Sequence, residues 1–342
     1  MPRGVARLGG RLVRGAPPLP TPRGELSEAL VAALGGRGVT RCLEPDSAAD
    51  EALSLWILYE LHHRGFEGVD DALEWDPALL VCRAHLEHDL EARWRRRARA
   101  VVAPAQQRCE AGEDLAPVFF DLCETDTGGG SIASFLQRDA DLDQVLAVLR
   151  QRSIYHVREQ DPSMWTLPRL DDETKAHLVA IAADEYGNGD PARLHAVLWR
   201  RGVEACGLGS GYAAYVDEAL PEVLEQVNLM SMLGLHRRLV PAALGHLAAF
   251  EVTSAVPSRR VARGLERVGA PEEMVDYYRE HMVADAVHEQ LAVRRMLGSL
   301  VAHDPDTLPD VLWGGAVCLL AEQATATAVL AHVGADREPA VA

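Results

Sequence analysis

The segment EHMVADAVHEQ, residues 280–290, sets His281, Asp285 and His288 at the spacing H-x-x-x-D-x-x-H. On a helix these positions fall within about 60° of one another, so two imidazoles and a carboxylate share one face. Such a face is either a wetted surface or a metal site. Imidazole and carboxylate favour iron, manganese or zinc over copper(I). Upstream, ADEYGNGDPARLHA carries Glu185 and His195. On an unbroken helix these would face about 80° apart. Gly187, Gly189 and Pro191 interrupt the helix, and the pattern predicts Glu185 in the last turn of one helix, a bend through NGDP, and His195 just after the first turn of the next. A glutamate at a helix C-terminus faces the unfavourable end of the macrodipole, which a nearby cation offsets. Two more carboxylates sit in apolar surroundings. Glu159, in SIYHVREQDPSMW, is expected to end a helix before a proline; Glu251 is the one acid of LGHLAAFEVTSAV and needs a partner if buried.

Competing constellations are weaker. ELHHRGFEG contains Glu60 and His63 at the E-x-x-H spacing of di-metal bundles, but that architecture needs two such pairs and the chain offers one. His85 and His88, in RAHLEHDLEAR, lie among acids as on a solvated face. DTGGGS lacks the lysine of a phosphate loop, and neither a strand-borne G-x-G-x-x-G nor a G-x-S-x-G occurs, which argues against nucleotide binding and serine hydrolysis. Trp165, Tyr186, Trp199, Tyr277, Tyr278 and Trp313 read as core aromatics, and Arg259 and Arg260 as a surface pair.

The elements that must position these residues are helical. From Ser27 onward nearly every segment has helical periodicity and hairpin-bounded alternation is almost absent, so the chain is expected to be all-α. Helices are predicted near 25–34, 46–65, 76–101 and 114–123, then, after DTGGGS, near 131–137, 140–160, 171–186, 191–206, 209–219, 221–235, 237–252, 257–268, 271–301 and 305–334. Ser131, Asp171 and the Pro191 and Pro271 positions are start signals. Residues 1–24 and 336–342 are expected as flexible tails, 25–127 as an N-terminal helical region and 128–335 as the main domain. With 342 residues and 48% hydrophobic composition, a large core is available. The net charge of −17 argues against nucleic-acid and anionic-membrane partners. The apolar run in VLWGGAVCLLA is too short to span a bilayer. The six cysteines are scattered, without C-x-x-C or a secretory segment, as in a cytoplasmic protein with reduced thiols.

The order Glu159, Glu185, His195, Glu251, His281, Asp285, His288, with the phrases DEYG, HLAAFE and ADAVHEQ, resembles the haem-oxygenase-like di-iron oxidases and oxygenases, including bacterial proteins described as iron-containing redox enzymes. The resemblance covers roughly residues 130 to 335, and ELHHRGFEGVDDALEWDP resembles the N-terminal helical part of the same group. It implies a haem-oxygenase-like bundle without haem, in which those seven residues are the metal ligands of two iron ions that use O₂ to oxidise a small substrate. Glu159, Glu185 and Glu251 would be terminal or bridging carboxylates. Members act by N-oxygenation of amino-acid-like amines, oxidative C–C cleavage of amino or fatty acids, or oxidation of their own side chains. No flavin or iron–sulfur motif is present, so electrons would come from a separate reductase or small reductant. A homodimer is compatible with such a bundle, although no heptad seam demands one. The alternatives are a metal-free helical binding protein with a solvated late helix, and a zinc or manganese protein without redox turnover.

Overall fold

The computed structural model describes residues 15–38 and 42–335, except for the side chains of 282–287. Among the described residues all regular structure is helical. The chain runs through α1 (Glu25–Leu34), α2 (Ala48–Glu60), α3 (Pro77–Glu110), α4 (Leu115–Cys123), α5 (Ile132–Arg138), α6 (Leu142–His156), α7 (Asp161–Met164), α8 (Asp172–Glu185), α9 (His195–Ala205), α10 (Pro221–Leu235), α11 (Val240–Arg267), α12 (Glu272–Gln290), α13 (Gly298–His303) and α14 (Leu308–His332). The starts obey local chemistry. Ser131 caps α5, Asp141 forms a capping box with Gln144 on α6, and Asp171 accepts from two amides of α8.

The long helices α11 and α14 cross at the centre, and α12, α5 and α3 pack around them. The crossing is close because it is made by glycine. A Cβ at Gly314 would overlap the carbonyl of Ala242, and one at Gly245 that of Val311. Both α11 and α14 belong to stretches long and apolar enough to cross a bilayer, Arg237–Arg267 and Pro305–His332, but 61% and 56% of their apolar windows are buried inside the protein. That burial is the signature of core helices. The N-terminal helices join the same core: Asn228 donates to the Ala52 carbonyl at 2.8 Å, and Trp94 to Glu225 at 3.0 Å.

The structure departs from the predicted elements in several places. Residues 209–219 form turns, because Gly207 and Ala213 take left-handed φ of 73° and 58°, and the Tyr215 hydroxyl accepts from the Gly209 amide. Pro257 does not divide α11; its ring sits on an exposed stretch while both flanking segments are buried, so packing outweighs the lost backbone bond. The predicted 271–301 helix is interrupted by a wide π-helical stretch at Leu291–Leu297. Residues 15–24, expected as part of a tail, are tied down: Thr21 binds Asp217, Arg23 donates to the Val216 carbonyl, and Pro17 accepts from the Glu67 amide. Residues 1–14 and 336–342 lie outside the described set.

Candidate metal centre

The bend predicted between Glu185 and His195 is present, but α9 starts at His195 rather than at Pro191, so the connection is longer than expected. Glu185 is the last residue of α8 and His195 the first of α9. Between them Gly187, Asn188 and Gly189 all take left-handed backbone, φ 67°, 53° and 84°. The reversal leaves His195 Nδ1 at 2.8 Å from Glu185 Oε2. A Cβ at Gly187 would come within 2.7 Å of the Arg193 carbonyl carbon and 2.8 Å of the Leu194 nitrogen. Gly187→Ala is therefore expected to push His195 away from Glu185 and weaken metal uptake while leaving helix content unchanged. Metal titration beside circular dichroism measures both.

Around this hinge two groups of side chains converge. Glu159, Glu185, His195 and His281 offer one ligand atom each within 4.8 Å of one another, and Glu185, Glu251 and His288 do the same. Glu185 belongs to both. Glu185, His195, Glu251, His281 and His288 are buried, and the Glu159 side chain is 10% exposed. Glu159 does not end a helix as predicted: α6 stops at His156, and Glu159 lies on the turn before α7. Asp285 is on α12, but its side chain lies outside the described residues.

The imidazoles are oriented from behind. His281 Nδ1 donates to the Tyr277 carbonyl at 3.0 Å, which turns Nε2 toward Glu159, 3.7 Å away. His288 Nε2 contacts Asp184 Oδ2 at 2.8 Å, leaving Nδ1 at 3.4 Å from Glu251. A carbonyl or carboxylate behind the ring is the arrangement that fixes a ligating histidine's tautomer. Glu280 and Glu289, next to these histidines in sequence, do not fill that role: Glu280 pairs with Arg193 and Glu289 accepts from Gln290. Asp184 and Tyr277 are residues the sequence reasoning missed. Asp184 stands beside Glu185 in the DEYG phrase, so a signal existed; Tyr277 is four residues before His281 and was read as core.

Further tyrosines hold Glu159. Tyr155 donates to it at 3.0 Å and Tyr277 at 3.4 Å. Burial opposes its charge, but the neighbouring His156 and His281 imidazoles hold Glu159 well below the usual carboxylate range. His156 itself is pushed down to about 4 by burial and is neutral, stacked on Trp199 at 4.1 Å. Burial alone would strip His288 of its proton; Glu251 and Asp184 overcome this and raise it to about 9.

Carboxylate–imidazole sets of this kind fit a first-row metal. The buried Nδ1 atoms of His195 and His288 lie close to carboxylate oxygens yet in no hydrogen-bond geometry with them. Buried polar atoms in folded proteins are mostly paired, so two such nitrogens beside carboxylates fit a cation between them. A cavity of about 20 Å³ touches Glu159, Glu185, Glu251 and His281 and is backed by Leu247 and Phe250.

The rejected constellations are structural. Glu60 is fully buried against Arg158 and Tyr212, and His63 packs on Trp165. His85 is exposed beside Glu44, His88 is exposed, and so are Arg259 and Arg260.

The profile of a family described as iron-containing redox enzymes matches residues 146–323. No curated protein matches the chain. Among solved structures, a CADD-like protein of unknown function from Nostoc punctiforme PCC 73102 shares 16% identity at a TM-score of 0.48, covering 69% of this chain and 98% of that one. The profile match spans just over half the sequence and contains all seven predicted ligand positions, so the chain belongs to the haem-oxygenase-like family of iron-containing redox enzymes.

Proposed function

We propose that the protein is a non-haem di-iron oxidase or oxygenase. The observation that carries this reading is the shared residue: two histidine–carboxylate groups meet at Glu185, as a bridging carboxylate between two ions would require. Two bound irons would supply the reduction of O₂ and the oxidising power for a small substrate, drawing electrons from a separate donor. Glu159, His195 and His281 would hold one ion, and Glu251 and His288, with Asp285 as a candidate, the other. The protein's own contribution is charge and orientation. Glu159, Glu185 and Glu251 offset the charge of two divalent ions, while Asp184 and the Tyr277 carbonyl keep the imidazole lone pairs turned inward. Tyr155 and Tyr277 fix Glu159 by hydroxyl donation, and Leu247 and Phe250 limit water at the small cavity.

The test is anaerobic loading with two equivalents of ferrous ion per chain, then stopped-flow mixing with O₂. A transient visible band with O₂ consumption is expected in the intact protein and neither in His281→Ala. Tight retention of zinc or manganese with no O₂ consumption in the iron-loaded protein would replace this reading with a redox-inert metal protein. Failure to bind any of these metals would leave a helical binding protein.

A further inference from the structure

The cavity of about 20 Å³ beside the ligand groups has a further polar wall that no metal ligand accounts for. Helix α11 lines it with His246, Leu247, Phe250 and Glu251. In a helix these positions span about 140°, with His246 and Glu251 at the two edges of the face. Glu251 belongs to the second ligand group, whereas His246 belongs to neither. His246 is 5% exposed, and its buried Nε2 has no hydrogen-bond partner among the described residues. Glu322, whose charge it feels, is engaged elsewhere: it accepts from Arg152 at 3.0 and 2.9 Å and from Gln226 at 2.9 Å. Gln160, on the turn before α7, lines the same cavity and also keeps a buried Nε2 unpartnered.

Buried polar atoms in folded proteins mostly find partners, so two without one on a single small cavity fit a guest that hydrogen-bonds there. The volume sets its size. One water needs roughly 10–15 Å³, so this space admits a molecule of one or two heavy atoms and excludes an organic substrate. Met230, Leu247 and Phe250 make much of the remaining wall apolar, which suits a neutral diatomic better than an ion. Burial pushes the His246 pKa down to about 4, so the ring is neutral near pH 7 and can offer an N–H without adding charge beside the ligand groups.

We propose that His246 is a positioning residue for a dioxygen-sized guest of this inner cavity, holding it by an Nε2 hydrogen bond against Glu159, Glu185, Glu251 and His281, with Gln160 as a second donor. The role rests on the di-iron reading in needing a metal between those ligands; it does not depend on which substrate is oxidised.

Nitric oxide, a diatomic that binds ferrous ion without turnover, is the probe. The full chain is loaded anaerobically with ferrous ion and exposed to nitric oxide, and the dissociation rate and the infrared N–O stretch are measured with metal content on the same samples. In His246→Leu, nitric oxide is expected to leave about three- to tenfold faster, with the N–O stretch displaced and metal content unchanged. His246→Gln, which restores a side-chain N–H, is expected to recover most of the retention. Gln160→Leu lies on a different element and is expected to displace the stretch in the same direction, which keeps the test open if His246→Leu does not fold. Dissociation within twofold of the intact protein and an unmoved stretch in the leucine variants overturn the proposal. So does a His246→Gln that behaves like His246→Leu, since packing rather than a hydrogen bond would then be at work. Loss of metal in His246→Leu overturns it too, by making His246 a support of the ligands. Intact protein that takes up no ferrous ion sinks the di-iron reading and this one with it; normal metal uptake with unaltered nitric oxide binding in the variants sinks this one alone.

Discussion

On the di-iron reading, Glu185→Ala is expected to remove metal from both groups at once, weakening each by at least about a hundredfold. Loss of an outer partner behind a ligand already costs ten- to a hundredfold, and here a ligand common to both groups is deleted. Glu251→Ala and Glu159→Ala serve as the one-sided controls, each halving the metal bound. Equilibrium dialysis followed by elemental analysis reads all three. If Glu185→Ala still retains one ion as tightly as the intact protein, the two groups do not share it and the centre is not a bridged pair. Stability should move in the opposite direction. In the metal-free protein Glu185 is a buried acid near Glu159 and Glu251, so its removal leaves the urea midpoint unchanged or raised.

Arg158→Met destabilises the protein by about 3–5 kcal/mol at pH 8, because it leaves Glu60 buried without its guanidinium partner. Even with Arg158 present, burial raises the Glu60 carboxyl to about 7. Without it the folded-state value rises further. A carboxyl whose folded pKa exceeds its unfolded value costs the fold stability that builds as pH rises from the unfolded value to the folded one, levels off above it and fades as pH falls back toward the unfolded value. The deficit relative to the intact protein is therefore expected to be largest above pH 7 and to shrink toward pH 5. Glu60→Gln combined with Arg158→Met should recover most of the loss, since no buried charge is then stranded. Urea unfolding of the three proteins across this pH range decides it; a deficit independent of pH would mean that packing, not the Glu60 charge, sets the cost.

The periodicity of apolar residues was enough to show an all-α chain, because a helix buries one stripe of a 3.6-residue repeat whatever its neighbours are. Local chemistry also determined the start of α5 at Ser131, of α8 at Asp171, and the bend between Glu185 and His195, since glycine and proline act on the backbone they belong to. The i, i+7 pair His281 and His288 was legible for the same reason: helical geometry alone puts both on one face. Pro257 shows the limit of such reasoning, as burial on both sides carried α11 through a residue that breaks isolated helices. What only the tertiary structure decided is how separate segments meet. Glu159 reaches the site from a turn rather than a helix, Glu185 falls between two ligand groups rather than in one, and Asp184 and Tyr277 stand behind the imidazoles. Glu60, at the end of α2 and outside the family match, meets Arg158 inside it. These placements depend on distances between residues up to 100 or more positions apart, and such distances are set by the packing of whole helices, as where Gly245 and Gly314 let α11 and α14 close on each other.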